Sequence, residues 1–91
     1  MERISALRKK VDEIDEKILC SLKERVEVCK SIGAIKRKHG IPIRDYQRED
    51  EVDANVLRKV SELELDPKKV RAIYRKIMAM SAHAQEDDTK I

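Results

Sequence analysis

The chain has few of the residues that make turns and aromatic cores. Its 91 residues include two glycines, two prolines, two tyrosines and two cysteines, and no tryptophan or phenylalanine. With so few turn-forming residues we expect few and long elements. A core built from aliphatic side chains favours helices over a sheet. The length allows one domain at most, so the prediction is an all-α fold in a single domain over residues 1–91.

Other absences exclude several kinds of partner. The net charge of +3 is small for a chain in which 43% of the residues are charged. These charges are interspersed and there is no aromatic platform, so we expect no nucleic acid partner. No apolar run approaches the roughly 18 to 20 residues that a membrane span needs. We also expect no signal peptide, because Glu2 and Arg3 lead straight into an amphipathic pattern.

The two cysteines indicate the compartment. Cys20 and Cys29 are nine residues apart on one predicted helix. They would lie on opposite faces and about 13 Å apart along the axis, which is too far for a disulfide bond. Reduced cysteines fit a cytoplasmic protein.

The N-terminal part of the chain carries an apolar seam with helical spacing. The seam consists of Ile4, Leu7, Val11, Ile14, Ile18, Leu22, Cys29 and Ile32. The helix is predicted at about residues 3–38, and it would be about 50 Å long at 1.5 Å per residue. The remaining residues are too few to cover such a helix, so the seam needs a second copy of the chain. We therefore expect an intertwined homodimer.

Two shorter helices are predicted after a stop signal, Gly-Ile-Pro at residues 40–42. Asp45 is a good N-cap for helix two, at about residues 46–63. Asp66 followed by Pro67 starts helix three, at about residues 67–85. Residues 86–91 are expected to form a polar tail. The apolar stripes of the two helices are Val52, Val56, Val60 and Leu63, and Val70, Ile73, Ile77, Met80 and Ala84.

Polar side chains interrupt the apolar face of each helix. Continuing the seam by helical steps brings Arg25 and Lys36 onto it, about 16 Å apart along the axis. Burying a cation is costly unless an opposite charge offsets it. The two cations therefore predict an internal pocket for an anion. Its apolar lining would be Val28, Ile32 and Val52, and its further polar positions Asp45, Arg48, Glu49, Ser81 and Gln85.

Each of these residues also has a purely structural interpretation. Arg25 could pair with Glu24 or Glu27 of a neighbouring helix, and Lys36 could interact with the helix dipole. Arg8 could pair with Asp12 one turn later. Arg8 lies about 25 Å along the axis from Arg25, so it cannot reach the pocket of its own chain. In an antiparallel dimer it could enter the pocket of the partner.

The polar positions match a known family in type and in spacing. The matching segments are Leu7-Arg8 with Ile14-Asp15, Arg25, Gly33 to Lys36, Pro42 to Asp45 with Arg48-Glu49, and Ser81 with Gln85. On these residues the chain resembles the all-helical chorismate mutases of the AroQ class along nearly its whole length. The resemblance implies three helices per chain, interlocked as a homodimer through the long first helix. It also implies an isomerase that rearranges chorismate to prephenate in phenylalanine and tyrosine biosynthesis.

The resemblance further implies which residues bind the two substrate carboxylates. Arg25, together with Arg8 donated by the partner chain, would hold them through charge-assisted hydrogen bonds. Arg48 and Ser81 would complete the polar wall and help to hold a carboxylate. All of these positions are substrate-binding residues in this interpretation.

The remaining positions act where bonds change. The resemblance implies that Lys36 and Gln85 donate to the ether oxygen, where negative charge grows as its bond breaks. Asp45, through its backbone, and Glu49 would bind the ring hydroxyl. A pericyclic rearrangement requires positioning and electrostatics, so no metal and no cofactor is expected. The implied catalytic residues are Lys36, Gln85, Arg25 and Glu49.

Two other functions stay open. An isochorismate-pyruvate lyase on the same scaffold would bind a similar dianion, although Asp45 and Glu49 favour the mutase. A dimeric helical module that binds a metabolite without chemistry would leave Arg8, Arg25 and Lys36 exposed and replaceable. For the mutase, Gln85 predicts little loss of activity between mildly acid and neutral pH, because a neutral amide donates at any pH.

Overall fold

The computed structural model describes residues 2–86, which form three helices. They are α1 (Glu2–His39), α2 (Tyr46–Leu63) and α3 (Pro67–Glu86). No strand occurs within these residues, and the predicted all-α class with one very long N-terminal helix is confirmed. Glu86 ends α3, whereas the sequence placed it in the polar tail. The rest of that predicted tail, residues 87–91, lies outside the described residues.

The ends of α1 and α2 are closed by residues in the left-handed region. Gly40 follows α1 with φ of 67°, and the next backbone N–H, that of Ile41, donates to the carbonyl of Lys36 at 2.8 Å. Glycine adopts this conformation without steric cost, as its position after the helix predicted. Glu64 takes the same role after α2 with φ of 58°, although it is not a glycine.

Both predicted N-caps are present. The Asp45 carboxylate accepts a hydrogen bond from the backbone N–H of Arg48 at 3.0 Å. The Asp66 carboxylate accepts from the backbone N–H groups of Lys68 and Lys69, at 3.0 and 3.2 Å. These bonds satisfy donors that a helix start otherwise leaves unpaired. They fix the residues at which α2 and α3 begin.

The third helix packs against both of the others. Within the described chain, no Cα atom of α1 comes within 8 Å of a Cα atom of α2, so α3 joins the two. Arg71 on α3 holds the Asp53 carboxylate of α2 through two hydrogen bonds of 3.0 and 2.9 Å. This pair raises the pKa of Arg71, mainly through the hydrogen bond. A gap therefore opens between α1 and α2, with α3 beneath it.

A glycine sets the distance between α1 and α3. A Cβ atom on Gly33 would lie 2.4 Å from the carbonyl oxygen of Gln85 and 2.6 Å from its Cα. No side chain fits there unless the backbone of α3 moves. The sequence alone assigns Gly33 only a cost of about 1 kcal/mol in helix propensity; the structure shows that the close approach of α3 requires this glycine.

The inner face of α3 differs in part from the predicted stripe. Val70 and Ile77 are half-buried and Ala84 is buried, as the stripe requires, but Ile73 and Met80 are 58% and 47% exposed. The packed face is shifted toward Tyr74, Ser81 and their neighbours, because α3 contacts two helices and not one. Ile73 and Met80 form a separate apolar strip on the surface of the protomer.

The N-terminal half of α1 extends away from the other helices. Every residue from 2 to 21 is exposed in the protomer, and the longest dimension of the described chain is 57 Å. The seam residues of this half are between 42% and 58% exposed: Ile4, Leu7, Val11, Ile14 and Ile18. Among residues 2–86, no helix is both long enough and apolar enough to cross a membrane.

Candidate active site

A cavity of about 280 Å³ occupies the gap between α1 and α2, above α3. All three predicted apolar lining residues, Val28, Ile32 and Val52, contribute to it. Seven of the eight predicted site residues also line it, and these are Arg25, Lys36, Asp45, Arg48, Glu49, Ser81 and Gln85. The eighth, Arg8, does not.

Lys36 joins three parts of the site. Its ammonium donates at 2.9 Å to the backbone carbonyl of Ile43, in the segment between α1 and α2. It also donates at 2.9 Å to Oε1 of Gln85 on α3. An ammonium has three protons, so one remains for a ligand. Because Gln85 turns its oxygen toward Lys36, its amide NH2 group is likewise left to donate. Two donors from different helices are therefore adjacent.

Arg25 is oriented by a serine on α3. Its guanidinium donates to the hydroxyl of Ser81, and that hydroxyl donates in turn to the carbonyl of Ile77 at 3.0 Å. Ser81 is buried, so its proton and lone pair are both used inside the protein. The structural interpretation of Arg25 as a partner of Glu24 or Glu27 of a neighbouring helix involves a second α1 and stays a prediction.

The start of α2 brings a carboxylate to the cavity. Arg44 binds Glu49 through two hydrogen bonds, from Nε to Oε2 at 2.5 Å and from Nη2 to Oε1 at 3.1 Å. The guanidinium of Arg44 lies over the ring of Tyr46, 4.9 Å from its centroid. The hydrogen bond and the charge of Glu49 raise the pKa of Arg44 above its ordinary value. Sequence reasoning missed Arg44 as a lining residue. Its position just before the N-cap, with Glu49 in the first turn of α2, was the available signal.

The two other polar residues at the start of α2, Asp45 and Arg48, are more exposed than Glu49. The carboxylate of Asp45 serves as the helix cap, so what it offers a ligand is its backbone. Arg48 donates to Glu51 at 3.2 Å, and both side chains face solvent. This pair is held weakly, because exposed ion pairs contribute little, and Arg48 is available to a ligand at the mouth of the cavity.

Arg8 lies on the exposed half of α1, and the two histidines lie outside the cavity. The structural interpretation of Arg8 as a partner of Asp12 is wrong, because no ion pair or hydrogen bond joins them among residues 2–86.

His83 lines a second, outer cavity of about 450 Å³ that shares Arg44 and Glu49 with the first. His39 is the last residue of α1.

The charges around the first cavity favour a small anion. Its lining contains the cations Arg25, Lys36, Arg44 and Arg48 and the carboxylates of Asp45 and Glu49. The excess is two positive charges, which matches a ligand with two carboxylates. Within the described residues, no three His, Cys, Asp or Glu side chains are grouped as metal ligands would be.

Fold and cavity together define an all-helical protein with a cavity whose lining carries an excess of positive charge. A sequence model of one family, chorismate mutase type II, matches residues 7–86 of the chain. The chain belongs to the chorismate mutase type II family, as its resemblance to the AroQ class predicted.

Three relatives of the chain carry the word mutase in their names. It is 47% identical over 58 residues to a bifunctional chorismate mutase/prephenate dehydratase of Aquifex aeolicus, covering 64% of this chain and 16% of that protein. It is 47% identical over 49 residues to a chorismate mutase of Methanocaldococcus jannaschii, covering 54% of this chain and 50% of that one. A 4-amino-4-deoxychorismate mutase of Streptomyces pristinaespiralis is 29% identical over 84 residues, with coverages of 92% and 65%.

The matches thus span less than two thirds of each of these relatives. A solved structure is more similar in extent. The structure of a conserved hypothetical protein from Pyrococcus furiosus is 36% identical to the chain with a TM-score of 0.72, and the match covers 93% of this chain and 97% of that one. The three-helix fold is therefore shared by nearly the whole of both chains.

Proposed function

We propose that the chain is a chorismate mutase, an isomerase that converts chorismate to prephenate in phenylalanine and tyrosine biosynthesis. One observation supports this above the others: the cavity joins the Lys36–Gln85 donor pair with two further cations of α1 and α2. Chorismate has two carboxylates and a ring hydroxyl, and this lining offers a partner to each group.

The reaction requires donors at one oxygen atom and no covalent help from the protein. In the Claisen rearrangement the ether C–O bond breaks while a C–C bond forms, and negative charge grows on the ether oxygen. The unused proton of Lys36 and the amide NH2 of Gln85 would donate to this oxygen. Donors that are already in place stabilise the transition state without reorganisation.

Binding of the carboxylates would compress the substrate into its reactive form. Arg25 would hold one carboxylate in the orientation that Ser81 imposes on its guanidinium. Arg48, at the exposed edge, would close the polar wall. Holding the reacting atoms in contact itself contributes a large part of the rate enhancement of such a step.

We propose a homodimer in which Arg8 of the partner subunit completes the site. The exposed seam of α1 supports the dimer, because an uncovered apolar surface of this length is unfavourable in water. Arg8 is on the same extended half of α1 and is free of partners in the described protomer. Arg8 lies about 25 Å along the axis from Arg25 of its own chain, and an antiparallel pairing of two α1 helices would bring it toward the cavity of the partner.

We place the activity in a single domain of a cytoplasmic protein. The cavity takes its lining from all three helices, so no smaller unit would contain it. The cytoplasmic location is supported by Cys20 and Cys29, which are both free, because reduced cysteines are typical of cytoplasmic proteins. Cell fractionation with an antibody to the chain would test the location.

The activity is tested by following the loss of chorismate spectrophotometrically and identifying the product. Prephenate alone is the expected product. Release of pyruvate would assign the isochorismate-pyruvate lyase activity when isochorismate is supplied, and binding without turnover would assign a non-catalytic module. A second substrate, 4-amino-4-deoxychorismate, belongs in the same assay, since one relative is named for that substrate.

A further inference from the structure

Arg44 binds the one carboxylate side chain of α2 that lines the cavity, and its positive charge offsets the negative charge of that carboxylate. Glu49 is half-buried, with its side chain 33% exposed, and it lines the cavity. Both of its oxygens accept hydrogen bonds from Arg44. Each oxygen retains a lone pair, so Glu49 can still accept a hydrogen bond from a ligand.

The other charged groups near Glu49 bond to groups other than its carboxylate or line the outer cavity. Arg48 bonds to Glu51, and Lys36 bonds to Ile43 and Gln85. Arg75, His83 and Glu86 of α3 line the outer cavity behind the pair. Arg44 is thus the cation that offsets the charge of Glu49, and the Tyr46 ring under its guanidinium keeps it in that orientation.

A carboxylate whose charge is already offset by an arginine favours a hydroxyl group over an ammonium group as its hydrogen-bond donor. A neutral hydroxyl needs only the free lone pair. A primary ammonium group in the same position gains from an uncompensated carboxylate and gains much less from one that already holds an arginine. Chorismate presents a hydroxyl on its ring, whereas 4-amino-4-deoxychorismate presents an amine, which is protonated near neutral pH.

We propose that Arg44 is a specificity-determining positioning residue that acts through Glu49 and makes the site favour a ring hydroxyl over a ring ammonium group. This rests on the proposed function, because Glu49 must face the ring substituent of the substrate. Arg44 need not touch the substrate. It holds the Glu49 carboxylate in place and removes its attraction for a cation.

The test compares kcat/KM for chorismate with kcat/KM, or the inhibition constant, for 4-amino-4-deoxychorismate. In Arg44→Gln we expect the preference to shift toward the amino compound by up to about fivefold, the order of one ion pair at a partly exposed site. Arg44→Lys retains the charge with a single contact, so its preference should stay closer to that of the wild type. A purely structural defect would lower both activities equally.

Two further variants separate the outcomes. In the Glu49→Gln background, Arg44→Gln should no longer shift the preference, because position 49 then has no negative charge for the arginine to offset. Arg71→Gln removes an arginine that binds Asp53 with the same two-bond geometry away from the cavity, and it should leave the preference unchanged. Equal loss with both substrates in Arg44→Gln, or the same shift in the Glu49→Gln background, would overturn this inference alone. A wild-type chain inactive on chorismate would overturn the proposed function and this inference with it.

Discussion

The ammonium of Lys36 and the side-chain oxygen of Gln85 are 2.9 Å apart across the contact between α1 and α3. One turn before Lys36 on the same helix, Gly33 lets the backbone of Gln85 approach to a distance that no Cβ atom permits. The position of the donor pair is thus set by backbone packing, which is stiffer than a long side chain. Preorganised donors of this kind are what the proposed rearrangement requires.

Replacing Lys36 by alanine should abolish most of the activity. The variant loses a donor to the ether oxygen, and we expect kcat to fall by roughly 10² to 10⁴, the range for removing one preorganised donor. Lys30→Ala is the matched control, since Lys30 lies on the same helix and pairs only with the exposed Glu27. Steady-state kinetics on chorismate gives the answer, and a Lys36→Ala variant with the kcat of the control would contradict the role.

The pH dependence should change when Gln85 is replaced by glutamate. A neutral amide donates at any pH, so wild-type kcat/KM should vary little between about pH 5 and about pH 7.5. A carboxyl group donates only when protonated, and its ordinary pKa is about 4.3. The activity of Gln85→Glu should therefore fall as the pH rises.

Arg44 adds no pH dependence in this range, because Glu49 raises its pKa and so keeps it charged to still higher pH. The comparison requires initial rates for both proteins across the same buffers. A steep fall of the wild-type rate from mildly acid to neutral pH would argue against the role of the amide.

Adding one methyl group at Gly33 should both destabilise the fold and impair the site. Overpacking costs roughly 1 to 3 kcal/mol, and the upper end applies here because the clash is with backbone atoms of Gln85. Helix propensity returns about 1 kcal/mol, so we expect a net loss of about 2 kcal/mol for Gly33→Ala. Ser31→Ala is the control on the same helix, because its hydroxyl makes only an exposed bond to the Glu27 carbonyl at 3.3 Å. Thermal unfolding compares the two, and an unchanged melting temperature for Gly33→Ala would show that α3 does not lie this close.

Mixing two inactive variants should restore activity if the site is shared between subunits. Arg8→Ala damages the site of the partner, and Arg25→Ala damages the site of its own chain. In a mixed dimer one site receives both arginines, so random exchange of equal amounts should leave about one quarter of all sites intact.

The mixture is assayed for chorismate turnover after subunit exchange has been verified by mass or by affinity tags. Arg8→Ala mixed with Lys36→Ala should recover activity in the same way, whereas Arg25→Ala mixed with Lys36→Ala should not, because both changes affect the chain's own side of the site. No recovery in the first two mixtures would argue against the donation of Arg8.

Much of the fold was predictable because it depends on local signals. The helix-stopping Gly40, the caps Asp45 and Asp66, and the periodic apolar residues act within a few positions of the chain, and they mark the same three helices that the structure has. Within the protomer, Ile73 and Met80 of the predicted α3 stripe are exposed, because a helix with two neighbours buries a face that periodicity alone does not define. The dimer and the role of Arg8 stay predictions.

The amino-acid order by itself determined the three helices, their starts at the caps Asp45 and Asp66, and the cations on faces that should be apolar, since these follow from spacing and backbone conformation. Only the tertiary structure decided that seven of the polar positions line one cavity, that Gly33 admits α3, and that Arg44 binds Glu49. Such pairings depend on how the helices and the segment between α1 and α2 are placed in space. The spacing of apolar residues within one helix does not specify the distance from its atoms to those of another element.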